Sequence, residues 1–156
     1  MRVTGVAQQR SWAGEGLPPI EEVLPGLWSI PVPIPNNPLR YVLSYGFETG
    51  DGVVLVDPGW HAEAAYQALV AGLQQAGFGI QDVRGVLVTH VHPDHYGLAP
   101  RLREASGAWV ALHPADAALI DRSRDRQDEL AEILAGDLLE AGAPASRRSP
   151  TRLLVR

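Results

Sequence analysis

Val86-Leu87-Val88-Thr89-His90-Val91-His92-Pro93-Asp94-His95-Tyr96-Gly97 is the run on which the reading of this chain turns. A short apolar segment ends at a threonine, and three of the chain's five histidines follow within six residues, with an aspartate among them. The segment Gly85 to Thr89 reads as a buried strand. In extended backbone successive side chains alternate between faces, so His90 and His92 turn their rings to the same side. They form a natural pair of ligands for one metal ion. Pro93 and the start of a helix bend the chain, and Asp94 and His95 then turn toward a second position close by. Two cations about 3.5–4 Å apart can share a bridging hydroxide and grip a substrate oxygen. Zinc brings the pKa of a bound water to about 7, which creates a nucleophile without serine or cysteine. A lone histidine is more often structural, and a single His-x-His pair is weak evidence. The density of the cluster and its place after a buried strand, where α/β sheets bind ligands, set this run apart.

Outward from the cluster, Val53-Val54-Leu55-Val56 is apolar on both faces, as in a strand covered on both sides, and Asp57-Pro58-Gly59 stops it. Ala62, Ala65, Tyr66, Leu69, Leu73 and Ala76 recur at helical spacing over His61 to Ala76, and Gly77 supplies a left-handed cap. Downstream of the cluster a helix runs through Leu98 and Leu102 to about Gly107. Ala108 to Leu112 is a strand, Pro114 opens a helix, and a further helix spans about Gln127 to Ala141. Upstream, Leu27 to Ile34 is punctuated by Pro31 and Pro33 and reads as an edge strand, since proline removes ladder donors. Asn36-Asn37-Pro38 is a turn, Leu39 to Phe47 a strand, and Glu48 to Gly52 a hairpin loop. Residues 1–21 form a loose arm, 22–142 a domain, and 143–156 an arginine-bearing tail that reads as a solvated end. The alternation of strand and helix after Val53 indicates an α/β architecture. About five strands result, with helices for one face of their sheet and nothing evident for the other.

The chain has 156 residues, 46% of them apolar, which suits a single soluble domain with a buried core. Its formal charge of −5 argues against a nucleic-acid footprint, which requires clustered positive charge. There is no cysteine, so thiolate ligands, disulfides and cysteine nucleophiles are excluded. Imidazole and carboxylate must hold any metal, a donor set suited to zinc, iron or manganese. All thirteen basic residues are arginines, which leaves no Schiff-base lysine. No run approaches the ~20 apolar residues needed to span a bilayer, and residues 1–19 lack a signal-peptide core, so the expected compartment is the cytoplasm. His61 begins a helix and His113 precedes Pro114, and both are read as ordinary structural histidines.

Thr89-His90-Val91-His92-Pro93-Asp94-His95-Tyr96-Gly97 resembles the His-x-His-x-Asp-His signature of the metallo-β-lactamase-fold hydrolases, including the glyoxalase II-like members. Val53-Val54-Leu55-Val56-Asp57-Pro58-Gly59 resembles that superfamily's strand ending in Asp-x-Gly. The resemblance implies that His90 and His92 bind a first metal, and Asp94 and His95 a second, with zinc expected in one or both positions. It implies that Asp94 also orients the attacking water and handles its proton, and that Asp57 supports the ligand loop through hydrogen bonds. A plain Asp-Pro-Gly turn accounts for Asp57 almost as well. The implied reaction is attack of metal-bound hydroxide on an ester, thioester, lactone or lactam carbonyl of a small molecule. The family fold is an αββα sandwich in which each half of the chain contributes a sheet. The resemblance covers roughly residues 22–140 and only the first half, one mixed sheet with helices on its outer face, and the tail 143–156 matches nothing in the family pattern and is expected to be foreign to that fold. A later His, a bridging Asp and a last His have no counterpart here, since no histidine follows His113. The expectation is therefore a truncated chain of reduced or no activity that self-associates through its exposed sheet face. The rival expectation is a catalytically dead metal-binding remnant or interaction module that uses that face.

Overall fold

The computed structural model describes residues 16–123 together with Arg10, Ser11, Gly14 and Arg126. The helix expected over Gln127 to Ala141 and the arginine-bearing tail lie outside the described residues. Six strands form one sheet in chain order: β1 (Glu21–Leu24), β2 (Leu27–Pro33), β3 (Tyr41–Thr49), β4 (Gly52–Val56), β5 (Val83–Leu87) and β6 (Trp109–Ala111). β1 to β4 pair antiparallel, whereas β5 and β6 join parallel, so the sheet is mixed. Between β4 and β5 lies α1 (Glu63–Gln75), and between β5 and β6 lie the single turn α2 (Pro93–Tyr96) and α3 (Ala99–Ser106). Residues 114–123 are helical.

Three expectations are corrected. The sheet has six strands and not five, because Glu21–Leu24 pairs with Leu27–Ser29. Leu27–Pro33 is consequently not an edge strand along its whole length. Its prolines are tolerated because β1 reaches only as far as Ser29, so Pro31 and Pro33 have β3 alone as a neighbour. The β3–β4 connection is tighter than the expected loop, since Thr49 pairs directly with Gly52 across Gly50-Asp51.

Strand register explains which face is buried. Ile30, Val32, Val53, Leu55 and Val86 point to one side and meet Ala65, Leu69 and Leu73 of α1 and Leu102 of α3. α1 packs on β2, and α3 packs on β5 and β6. Gly72 allows α1 to lie close to the sheet, since a Cβ there would fall 2.3 Å from Ile30 Cγ2. The helix ends as its glycine predicts: Gly77 has φ +89°, its N–H donates to Gln74 O, and Phe78 N–H donates to Leu73 O. α1 and α3 are braced by Arg101, which donates to Glu63 Oε2 at 2.7 Å and lies 3.5 Å over the Tyr66 ring. The Arg101 bond, followed by that from Gln67, holds the Glu63 carboxyl below its ordinary pKa.

The opposite face carries two apolar rows. One runs Phe47–Val54–Gly85–Trp109 and the other Tyr45–Val56–Leu87–Ala111. Phe47, Leu87 and Trp109 are 44%, 42% and 49% exposed, so among the described residues no helix covers this face as α1 and α3 cover the first. The Trp109 ring lies across Gly85, where a Cβ would fall 2.2 Å from its atoms.

Candidate metal centre

The parallel strands β4 and β5 end side by side, and the loops that leave them build the site. Asp57 directly follows β4 and adopts φ +53°, a left-handed conformation that costs a non-glycine residue about 1–2 kcal/mol. Three groups hold it there by donating to its carboxylate. Thr89 N–H reaches Oδ1 at 2.8 Å, Thr89 Oγ1–H reaches Oδ2 at 2.7 Å, and His95 Nδ1 reaches Oδ2 at 2.9 Å. The Asp57 N–H in turn donates to Leu87 O at 2.9 Å, which locks the two strand ends together. Asp57 is 8% exposed, so its charge is sheltered, and the bonds it accepts are of the stronger, charge-assisted kind.

The turn after Asp57 is shaped by glycine for a steric reason. Gly59 has φ +109°, and a Cβ there would lie 2.5 Å from Val32 Cγ1. Its carbonyl accepts from Leu98 N–H at 2.9 Å, which joins this turn to the end of α2. Gly97 sits at that junction, with His61 N and Pro93 O each 2.5 Å from where its Cβ would be. The segment His92–Gly97 is thus pressed against the turn 57–61 with no room for a side chain at 97.

Four side chains gather on this platform. His90 Nε2 and His92 Nδ1 face each other at 3.0 Å, with their rings near-perpendicular and the centroids 4.6 Å apart. The His95 ring lies 4.1 Å from that of His90. His95 Nε2 is 3.4 Å from Asp94 Oδ2. The donors therefore meet as two pairs, His90 with His92 and Asp94 with His95, and the rings of His90 and His95 bring the pairs together. Among the described residues no group of three or more His, Asp or Glu is disposed as a ready metal cage. The two pairs are nevertheless chemically suited to a divalent cation: they offer imidazole nitrogens and a carboxylate at the ends of parallel strands, where ligands bind in α/β sheets. His61 and His113 lie elsewhere in role. Both are exposed, and His113 Nδ1 accepts from Ala115 N–H at 3.2 Å, at the start of the helical residues 114–123.

Thr89 is the site residue that the sequence alone does not single out. It stands in the signature with no role implied, yet its hydroxyl touches both Asp57 and His90, the latter at Nδ1 and 3.0 Å. The signal that could have found it is its position, as the first polar residue between the apolar run Val86 to Val88 and the first imidazole.

A helix-backed mixed sheet with a His/Asp cluster at the carboxyl end of a parallel strand defines an α/β protein with a candidate metal centre. The chain belongs to the metallo-beta-lactamase superfamily, whose family model matches residues 37–153. Among solved structures it resembles a metallo-beta-lactamase family protein from Thermus thermophilus, at 38% identity and a TM-score of 0.62. That match covers 80% of this chain and 41% of the other. A metallo-beta-lactamase from Cronobacter sakazakii is 26% identical with a TM-score of 0.56, over 66% of this chain and 38% of the other. BJP-1, a subclass B3 metallo-beta-lactamase of Bradyrhizobium japonicum, shares the fold at 18% identity and a TM-score of 0.53, over 64% of this chain and 34% of that one. The chain thus spans about two fifths of the length of the first of these relatives.

Proposed function

We propose that this chain carries metal-binding residues of a divalent-metal-dependent hydrolase that acts on an ester, thioester, lactone or lactam carbonyl of a small molecule. The observation that carries the reading is the facing pair His90 Nε2 and His92 Nδ1, 3.0 Å apart beside the Asp94–His95 pair. His90 and His92 would hold a first cation and Asp94 with His95 a second, with zinc expected and iron or manganese also suited to imidazole and carboxylate donors. A bound cation supplies Lewis acidity and makes water acidic enough to lose a proton near neutral pH. Asp94 orients the attacking water and accepts its proton. Asp57 supports the cluster by fixing the ring of His95 and the backbone of Thr89. The compartment in this reading is the cytoplasm. No described helix is long and apolar enough to cross a membrane.

The test is hydrolysis of a chromogenic ester, a thioester, a lactone and a cephalosporin before and after chelation. Any turnover by this chain is expected to be low, to vanish with chelator and to return with added zinc. Turnover that persists at full rate without metal would remove the proposal.

The exposed rows through Phe47, Leu87 and Trp109 favour a second reading, in which the chain acts as an interaction module that pairs with a copy of itself across this face. Light scattering is expected to give a defined dimer that a Trp109→Glu, Leu87→Glu double variant converts to monomer. A monodisperse wild-type monomer would reject this reading.

A further inference from the structure

We infer that Thr89 is a positioning residue that relays the charge of Asp57 to His90, so that one carboxylate sets the tautomer of two metal-facing imidazoles. The inference rests on the metal-centre reading for its purpose, but its chemistry follows from counting hydrogens along a chain of contacts.

An ionised carboxylate only accepts hydrogen bonds. Asp57 Oδ2 lies 2.9 Å from His95 Nδ1, so the hydrogen of that contact belongs to His95 Nδ1. Asp57 Oδ2 also lies 2.7 Å from Thr89 Oγ1, so the single hydroxyl hydrogen of Thr89 is spent on Asp57. Thr89 Oγ1 is left with lone pairs only, and it sits 3.0 Å from His90 Nδ1. That contact is a hydrogen bond only if His90 Nδ1 carries the hydrogen. Neutral His90 is therefore held with a bare Nε2, and that is the atom facing His92 Nδ1 at 3.0 Å. In the metal-free protein His92 Nδ1 donates to it.

His95 is fixed in the same sense by direct contact, with its Nε2 turned toward Asp94 Oδ2 at 3.4 Å. Both imidazoles thus present Nε2 lone pairs because their Nδ1 atoms are tied, one directly and one through a hydroxyl, to the same carboxylate oxygen. A metal takes the bare nitrogen of a neutral imidazole, and the partner of the other nitrogen selects which one is bare. Valine in place of threonine has nearly the same shape but cannot accept from His90 Nδ1. Serine can.

The experiment records long-range nitrogen–proton correlations of the imidazoles in metal-free protein at about pH 8, above the usual imidazole range near 6.5. Zinc affinity is then measured by competition with a chelating dye. In wild type His90 is expected as the Nδ1–H tautomer. Thr89→Val should shift it toward Nε2–H and weaken zinc binding about 10–100-fold, while Thr89→Ser restores both. Thr89→Ala serves as a second hydroxyl-free variant if the valine protein does not fold. An Nε2–H tautomer at His90 in wild type overturns the inference, and so does an unchanged tautomer or affinity in a folded hydroxyl-free variant. A wild type that shows the Nδ1–H tautomer and binds no zinc leaves the relay standing and removes the metal-centre reading instead.

Discussion

Zinc binding by a His92→Ala variant is expected to fall by a factor of about 100 or more relative to wild type. Structural zinc sites release about 10–16 kcal/mol over four ligands, so one imidazole is worth roughly 3 kcal/mol, and each 1.4 kcal/mol is tenfold. The ring removed is one of the pair that face each other across the first position, and among the described residues no third group completes that pair as a metal cage. His92 is also exposed, and as the N-cap residue of α2 it makes no side-chain cap bond, so alanine keeps the backbone bonds that start the helix. Metal-free His92→Ala should therefore melt within a few degrees of wild type, as surface substitutions of about ±0.5 kcal/mol do. Isothermal titration of both proteins with zinc checks the result. Equal stoichiometry and equal affinity would reject His92 as a ligand.

A Gly97→Ala substitution is expected to destabilise the protein by about 3 kcal/mol and lower its melting temperature by roughly 10 °C. The added methyl would meet two backbone atoms, His61 N and Pro93 O, each at 2.5 Å, with Gly59 O at 3.0 Å. Backbone cannot rotate away as a side chain tip can, so the turn 57–61 must draw back from Gly97 and the turn Pro93–Gly97 must itself open. That separation breaks the Leu98 N–H to Gly59 O bond and draws His95 from Asp57. Zinc affinity should drop along with stability, because the platform that orients the imidazoles is the same contact. Gly107→Ala makes a control: nothing lies within 4 Å of its Cβ, although its φ of +76° adds a local backbone cost. Its zinc affinity should stay at the wild-type level. A Gly97→Ala protein with unchanged melting temperature would show that the two segments are not pressed together.

The histidine cluster and its two-and-two division were legible because they depend on short-range geometry. His90, His92, Asp94 and His95 all lie within six residues, although the strand ends at Leu87 and the chain bends at 89–90, so simple alternation is not what turns the rings of His90 and His92 toward each other. The α1 pattern and its Gly77 cap were legible for the same reason, since helical period and left-handed caps are written within a few residues. β1 was not legible: Glu21–Leu24 has no apolar alternation of its own and becomes a strand by pairing with β2. The proline-bearing β2 misled as an edge because the length of its neighbour, which decides whether Pro31 faces a partner, is not a property of β2.

By itself, then, the order of residues showed where imidazoles and a carboxylate crowd together and which segments alternate between strand and helix. Only the tertiary structure decided that Asp57 and Thr89, 32 positions apart, share hydrogens, and that His95, 38 positions from Asp57, is steered by the same oxygen. The reason is physical: local pattern fixes which way a side chain leaves its own backbone. A tautomer depends on what stands opposite, and that is set only when parallel strands bring their ends together.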